Sequence, residues 1–337
     1  MIKYLDFEKP IVELRERIEE LKALNGNMNG VYQSELKKLN LKLVKVRKEI
    51  FSSLTPWQRV EMARHPSRPY TNDYIKYLFK DWYELHGDRR FSDDKAIVTG
   101  IGSLEGISFV VVGHEKGRTT TEKVKRNFGS AHPEGYRKAL RVMKLGGKFN
   151  LPIVCFVDTA GAYPGIGAEE RGQALAIAEN IKEIAVIPVP IIVIITGEGG
   201  SGGALAIGIG DKIFMQEFSV YSVISPEGCA SIIFRDQKYK EEAAEQLKIT
   251  AEDLRELKVI DGIIKEPEGG AHSDPEEAAR NIGKIILESY NELKDVPAGI
   301  LKDKRIEKFS KMGLELFISK MAILNMLKPV NILARKL

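Results

Sequence analysis

The sequence is short of the residues that disulfide and metal chemistry need. Cys155 and Cys229 are its two cysteines, so it has no CxxC pair and no structural zinc site of that type. Five histidines, His65, His86, His114, His132 and His272, are scattered without HExxH or similar ligand spacing. The longest apolar run, Ile184 to Ile195, is interrupted by Pro188 and Pro190. It falls short of the ~20 residues that cross a bilayer. The amino terminus lacks the apolar core of a signal peptide, so a cytoplasmic protein is expected. Net charge is small as well. Fifty-one basic and 47 acidic side chains leave +4 over 337 residues, which does not call for a nucleic-acid partner.

What is present is a globular composition, 43% hydrophobic and 29% charged, which excludes disordered and collagen-like chains. Residues 1–55 read as a helical hairpin. Ile11, Leu14, Ile18 and Leu21 recur at helical spacing, and Asn25 to Gly30 break the pattern. Leu36, Leu39, Leu43, Val46 and Ile50 then resume it, with lysines on a solvated outer face.

The stretch 56–296 changes texture. Arg64 to Tyr70 reads as an irregular connector, and Ala96–Gly102 with Ile107–Gly113 as paired strands around Glu105-Gly106. A helix is expected over 135–149, a buried strand over 152–157, a helix over 168–186 and a strand over 189–196. A short apolar segment over 204–209 and a strand over 212–215 follow, then helices over 229–247, 251–258 and 274–294. Strands alternating with helices predict an α/β core with largely parallel pairing. Residues 297–337 read as an amphipathic helical tail, its apolar stripe running from Phe309 and Met312 to Leu324 and Leu327.

The most informative segment is Gly197-Glu198-Gly199-Gly200-Ser201-Gly202-Gly203-Ala204, directly after a buried strand. Four readings fit it. Gly197-x-Gly199-x-x-Gly202 matches a dinucleotide fingerprint with Glu217 downstream, although the crossover is too short for a βαβ unit. A P-loop fails, because no lysine follows the glycines. Gly199-x-Ser201-x-Gly203 matches a nucleophile elbow, with Asp261 and His272 in hydrolase order. Consecutive glycines at a strand-to-helix turn can also aim backbone N–H groups at one spot, forming an oxyanion hole, with no Cβ to block the approaching group. The fourth reading is a tight turn that permits close packing.

The string GEGGSGGALAIGIGDKIFMQEFSVYSVISPEGCASI, residues 197–232, resembles the carboxyltransferase alpha subunits of bacterial acetyl-CoA carboxylase. The likeness extends over LDFEKPI (5–11), ARHPSRPYTNDY (63–74), GHEKGR (113–118), KRNFGSAHPEGYRKALR (125–141), VDTAGAYPGIGAEERGQ (157–173) and LKVIDGIIKEPEGGAH (257–272).

The resemblance implies a crotonase-like spiral of ββα units and transfer of a carboxyl group from carboxybiotin to acetyl-CoA, giving malonyl-CoA for fatty acid biosynthesis. Biotin is carried on a separate biotin carboxyl carrier protein, with biotin carboxylase in the full complex. No cofactor is bound covalently to this chain. A homologous beta subunit supplies most of the thioester side and a zinc ribbon, in an α2β2 assembly.

By the same resemblance, the amides of Gly202 and Gly203 face the ureido oxygen, and Ser201 is backbone geometry. Negative charge grows on that oxygen as CO2 is released, and the biotin anion can itself take the methyl proton of acetyl-CoA. Gly161 and Ala162 lie in the matching substrate loop, where Ala160 replaces the family's usual proline. Lys116, Arg118, Lys125 and Arg126 are expected along the route for CoA phosphates, at the partner interface or on the ordinary surface. Glu227 is expected to fix a loop rather than to act as a hydratase-type acid.

Overall fold

The computed structural model describes residues 4–24 and 31–313. The expected turn at 25–30 and the tail stripe beyond Gly313 lie outside the described residues.

Among the described residues eight strands form one sheet: β1 (Lys80–Glu84), β2 (Ile97–Leu104), β3 (Ile107–His114), β4 (Ile153–Thr159), β5 (Ile191–Gly200), β6 (Lys212–Gln216), β7 (Val220–Ser222) and β8 (Gly262–Ile264). Their order is β1-β2-β3-β4-β5-β6-β8, with β7 also paired to β5. The first two pairings are antiparallel and all later ones are parallel. The hairpin β2–β3 turns at Glu105-Gly106 as its sequence predicts. Both residues are left-handed, at φ 49° and 78°, the backbone a two-residue hairpin loop requires.

Helix Pro133–Phe149 covers one face of this hairpin, completing a ββα unit. It starts with proline in its first turn and stops at left-handed Asn150. Alternate strand residues then feed two cores. Val110, Val112, Ile153, Cys155 and Val193 pack with helix Pro133–Phe149. Val111, Val154, Phe156, Ile192 and Ile194 pack with Ala279, Ile282 and Ile286 of helix Pro275–Leu293. Covered on both faces, β4 is buried along its whole length, as a central parallel strand should be.

The structure differs from the sequence reading in several places. The helix expected over 168–186 is two, Ile166–Glu170 and Gln173–Ala185, divided by left-handed Gly172. The 229–247 segment likewise divides into Pro226–Ile233 and Lys240–Leu247. Helices Pro56–Ala63 and Thr71–Leu78 flank the irregular 64–70 connector.

Helices Lys9–Leu24 and Val31–Ser52 pack on each other, and Ile11 and Phe51 join them to Met62 and Phe218. Helix Ala298–Lys311 docks through buried Leu301 and Arg305. The Arg305 guanidinium lies 2.7 Å from Asp211 and donates to the Ile184, Ile187 and Val189 carbonyls. No helix among the described residues is long and apolar enough to cross a membrane.

Candidate active site

The site sits where β4 and β5 end. Periodicity places the end of β5 at Thr196, but the strand continues through the glycines to Gly200. Its last residues, Glu198–Gly200, pair with Val220–Ser222 of β7. At Gly197, a Cβ would collide with the Asp158 carboxylate, so the glycine leaves room for that side chain. Ser201 then turns the chain at φ 49°, and helix Ser201–Leu205 begins. The N–H groups of its first turn have no intrahelical acceptors.

Two of the glycines are required by the neighbouring loop. A Cβ on Gly200 would strike the Ala160 carbonyl. One on Gly203 would lie 2.7 Å from both the Ala162 nitrogen and the Gly161 carbonyl carbon. A side chain at Gly203 would therefore enter the backbone of the 161–162 loop. Gly202 is less crowded, with Ile177 Cδ1 at 3.3 Å the nearest atom to an added Cβ.

That loop is held from both ends. Thr159 Oγ1 accepts from the Gly161 N–H at 3.1 Å, and the Tyr163 N–H donates to the Ala131 carbonyl at 3.0 Å. The Tyr163 ring stacks on His132, and Gln173 Nε2 donates to both the Ala131 and Tyr163 carbonyls. Ser201, Gly202, Leu205, Tyr221, Val223 and Leu254 line an adjoining, mostly apolar cavity of about 250 Å³.

Beneath the turn runs a chain of ion pairs that motif reasoning missed. Lys116 Nζ lies 2.7 Å from Asp158 Oδ1 and 3.0 Å from Glu198 Oε2. Arg64 reaches the other Glu198 oxygen at 2.7 Å and Glu227 at 2.5 Å. Burial pushes the Glu198 carboxyl up, but Lys116 and Arg64 outweigh it and hold the group at about 2. Burial and Arg64 act on Glu227 in the same opposed way, and its carboxyl ends below the usual range. Glu227, expected in a loop, lies in the first turn of helix Pro226–Ile233 and ties it to Arg64.

The other predicted cations separate. Lys116 is 13% exposed and faces inward, so it offers little to a phosphate in solvent. Arg118 binds Asp73 and the Pro66 carbonyl and lies over the Tyr70 ring. Arg126 donates to the Lys95 carbonyl, and Lys125 is exposed.

The hydrolase reading fails on contacts. Ser201 does have a strained elbow backbone. Asp261, however, accepts from the Ile213 N–H and Lys308, while His272 stacks on His65 at 3.7 Å. Burial pushes His272 down to about 3. In the dinucleotide reading Glu217 would hold a ribose, but it pairs with Lys265 at 2.6 Å. Cys155 is fully buried and its thiol is pushed up to about 12 by that burial, so it is no nucleophile. No group of three His, Cys, Asp or Glu side chains among the described residues is placed to hold a metal ion.

Residues 4–313 match the family model described as acetyl co-enzyme A carboxylase carboxyltransferase-like. The chain belongs to this family. It is 55% identical over 309 residues to the acetyl-coenzyme A carboxylase carboxyl transferase subunit alpha of Geobacter metallireducens, covering 92% of this chain and 97% of the relative. The subunit alpha of Geobacillus thermodenitrificans is 51% identical over 318 residues, covering 94% and 98%. The chain is therefore an enzyme subunit of the carboxyltransferase class.

Its fold is crotonase-like. Transcarboxylase 12S, solved with methylmalonyl-coenzyme A bound, superposes with a TM-score of 0.56 at 18% identity over 67% of this chain. This chain spans 42% of the length of that one. A Pseudomonas malonate decarboxylase hetero-tetramer superposes at 0.55 and 13% identity, covering 74% of this chain and 98% of the other.

Proposed function

We propose that this chain is the biotin side of an acetyl-CoA carboxylase carboxyltransferase. It accepts a carboxyl group from carrier-linked carboxybiotin and delivers it to acetyl-CoA within an α2β2 assembly in the cytoplasm. The observation that carries the reading is the near full-length match to subunits alpha at 55% identity. The zinc ribbon and most of the acyl pocket belong, on this reading, to the beta subunit.

The chemistry asked of this chain is electrostatic. The ureido oxygen gains negative charge as the N–carboxylate bond breaks. The Gly202 and Gly203 N–H groups, in the first turn of helix Ser201–Leu205, stabilise it by about 3 kcal/mol per donor. Gly161 and Ala162 set the opposite wall, and the open apolar cavity beside Gly202 offers a surface for an apolar part of the substrate. Transfer then needs no side-chain nucleophile here.

Co-expression with a zinc-ribbon beta chain tests the reading, with carboxyl transfer between malonyl-CoA and biocytin as the readout. Activity is expected from the pair and not from this chain alone. Robust malonyl-CoA decarboxylation by the purified chain alone would overturn it.

A further inference from the structure

We propose that Lys116 is a positioning residue that clamps the 158–162 loop to the 199–203 turn, acting through Asp158 and Glu198. The inference rests on the carboxyltransferase reading above, and its geometry is local to this chain. Asp158 is the penultimate residue of β4, one step before the loop begins. Glu198 stands two residues before Gly200 on β5. Asp158 Oδ1 accepts from the Glu198 N–H at 2.9 Å as well as from Lys116, so one carboxylate joins both strand ends.

Lys116 is itself held in place. It follows β3 by two residues, and Gly129 closes over its stem, a Cβ there falling 2.8 Å from Lys116 Cγ. Two cations, Lys116 and Arg64, face three carboxylates, Asp158, Glu198 and Glu227, and the second Asp158 oxygen is buried without a hydrogen-bond partner. Arg68, Tyr70, Tyr74, His114, Glu115 and Arg118 are other charged or titratable groups of this neighbourhood. With three carboxylates to two cations, losing Lys116 leaves Asp158 and Glu198 repelling each other across the gap between loop and turn. Two N–H donors displaced by even 1 Å can cost about a hundredfold in rate.

The test uses the complex with the beta chain and three variants: Lys116→Met, Glu198→Gln and the double variant. Lys116→Met should lower kcat about a hundredfold with KM for acetyl-CoA unchanged, because the thioester is bound elsewhere. The double variant should recover part of that loss, since the unopposed carboxylate is gone. Amide exchange should quicken in 158–163 and 199–204 together, and not across the chain. Should Lys116→Met fail to fold, Glu198→Gln keeps the side-chain shape and should give the same paired exchange at smaller amplitude. Wild-type kcat in Lys116→Met, no recovery in the double variant, or exchange rising uniformly would each overturn the clamp. An inactive wild-type complex would strike the carboxyltransferase reading instead, leaving the exchange measurement to judge the clamp.

Discussion

Gly203 and Ala162 approach so closely that a Cβ on the glycine would stand 2.7 Å from the alanine nitrogen. Real Cβ atoms do not come that near, so loop and turn are fitted backbone to backbone. The glycine is thus as much a packing residue as a chemical one.

Substitution separates the two glycines. Gly203→Ala should destabilise the chain by about 1–3 kcal/mol and also abolish transfer, because the 161–162 backbone must move. Gly202→Ala meets only the end of the Ile177 side chain and should cost less than ~1 kcal/mol. Urea denaturation of both variants beside wild type checks this, and equal losses would contradict it.

Ser201 carries a left-handed backbone at φ 49° that glycine adopts without cost. Ser201→Gly should therefore raise stability by about 1 kcal/mol, while Ser201→Ala leaves transfer within about threefold, under ~1 kcal/mol of barrier. Mass spectrometry after fluorophosphonate treatment should find Ser201 unmodified. An adduct there would revive a nucleophilic role.

Acid should weaken the fold through two histidines. Burial holds both His114 and His272 down at about 3. The unfolded chain binds protons first as pH falls below ~6.5. Stability from these groups is then complete above that value and drains as pH falls toward 3, by up to about 1.4 kcal/mol per pH unit for each. His114→Phe should flatten the acid limb of a stability–pH curve, and an unchanged slope would show that His114 does not contribute.

Helix Ala298–Lys311 should matter most through Arg305. Arg305 is buried against Asp211 and three carbonyls. Deleting 300–337, or Arg305→Ala alone, strands those groups and should cost about 3–5 kcal/mol. Calorimetry of both beside wild type decides it.

The sequence made the hairpin β2–β3, β4 and the long helices legible, because local alternation and helical spacing specify them. Local pattern ends the strand carrying the site at Thr196, four residues short of Gly200. Glycines weaken any local strand signal, and what extends β5 to Gly200 is pairing with β7, some twenty residues later in the chain. The glycine turn was found for its backbone chemistry, yet the demand for Gly200 and Gly203 comes from residues 160–162. The ion-pair chain was invisible for the same reason. Arg64 looked like part of an irregular connector, and Glu198 like the variable position of a glycine motif.

The Arg64 pairs also bear on how the chain is made. Arg64 emerges from the ribosome 134 residues before Glu198 and 163 before Glu227. Fully buried Arg68 waits longer still, 198 residues, for Glu266. At ~5–20 residues per second, a nascent chain holds these two cations without their acids for seconds to tens of seconds. The amino-terminal third therefore cannot close over its charged side chains until most of the sheet exists, and the ion pairs beneath the 199–203 turn stay incomplete until Glu227 is made.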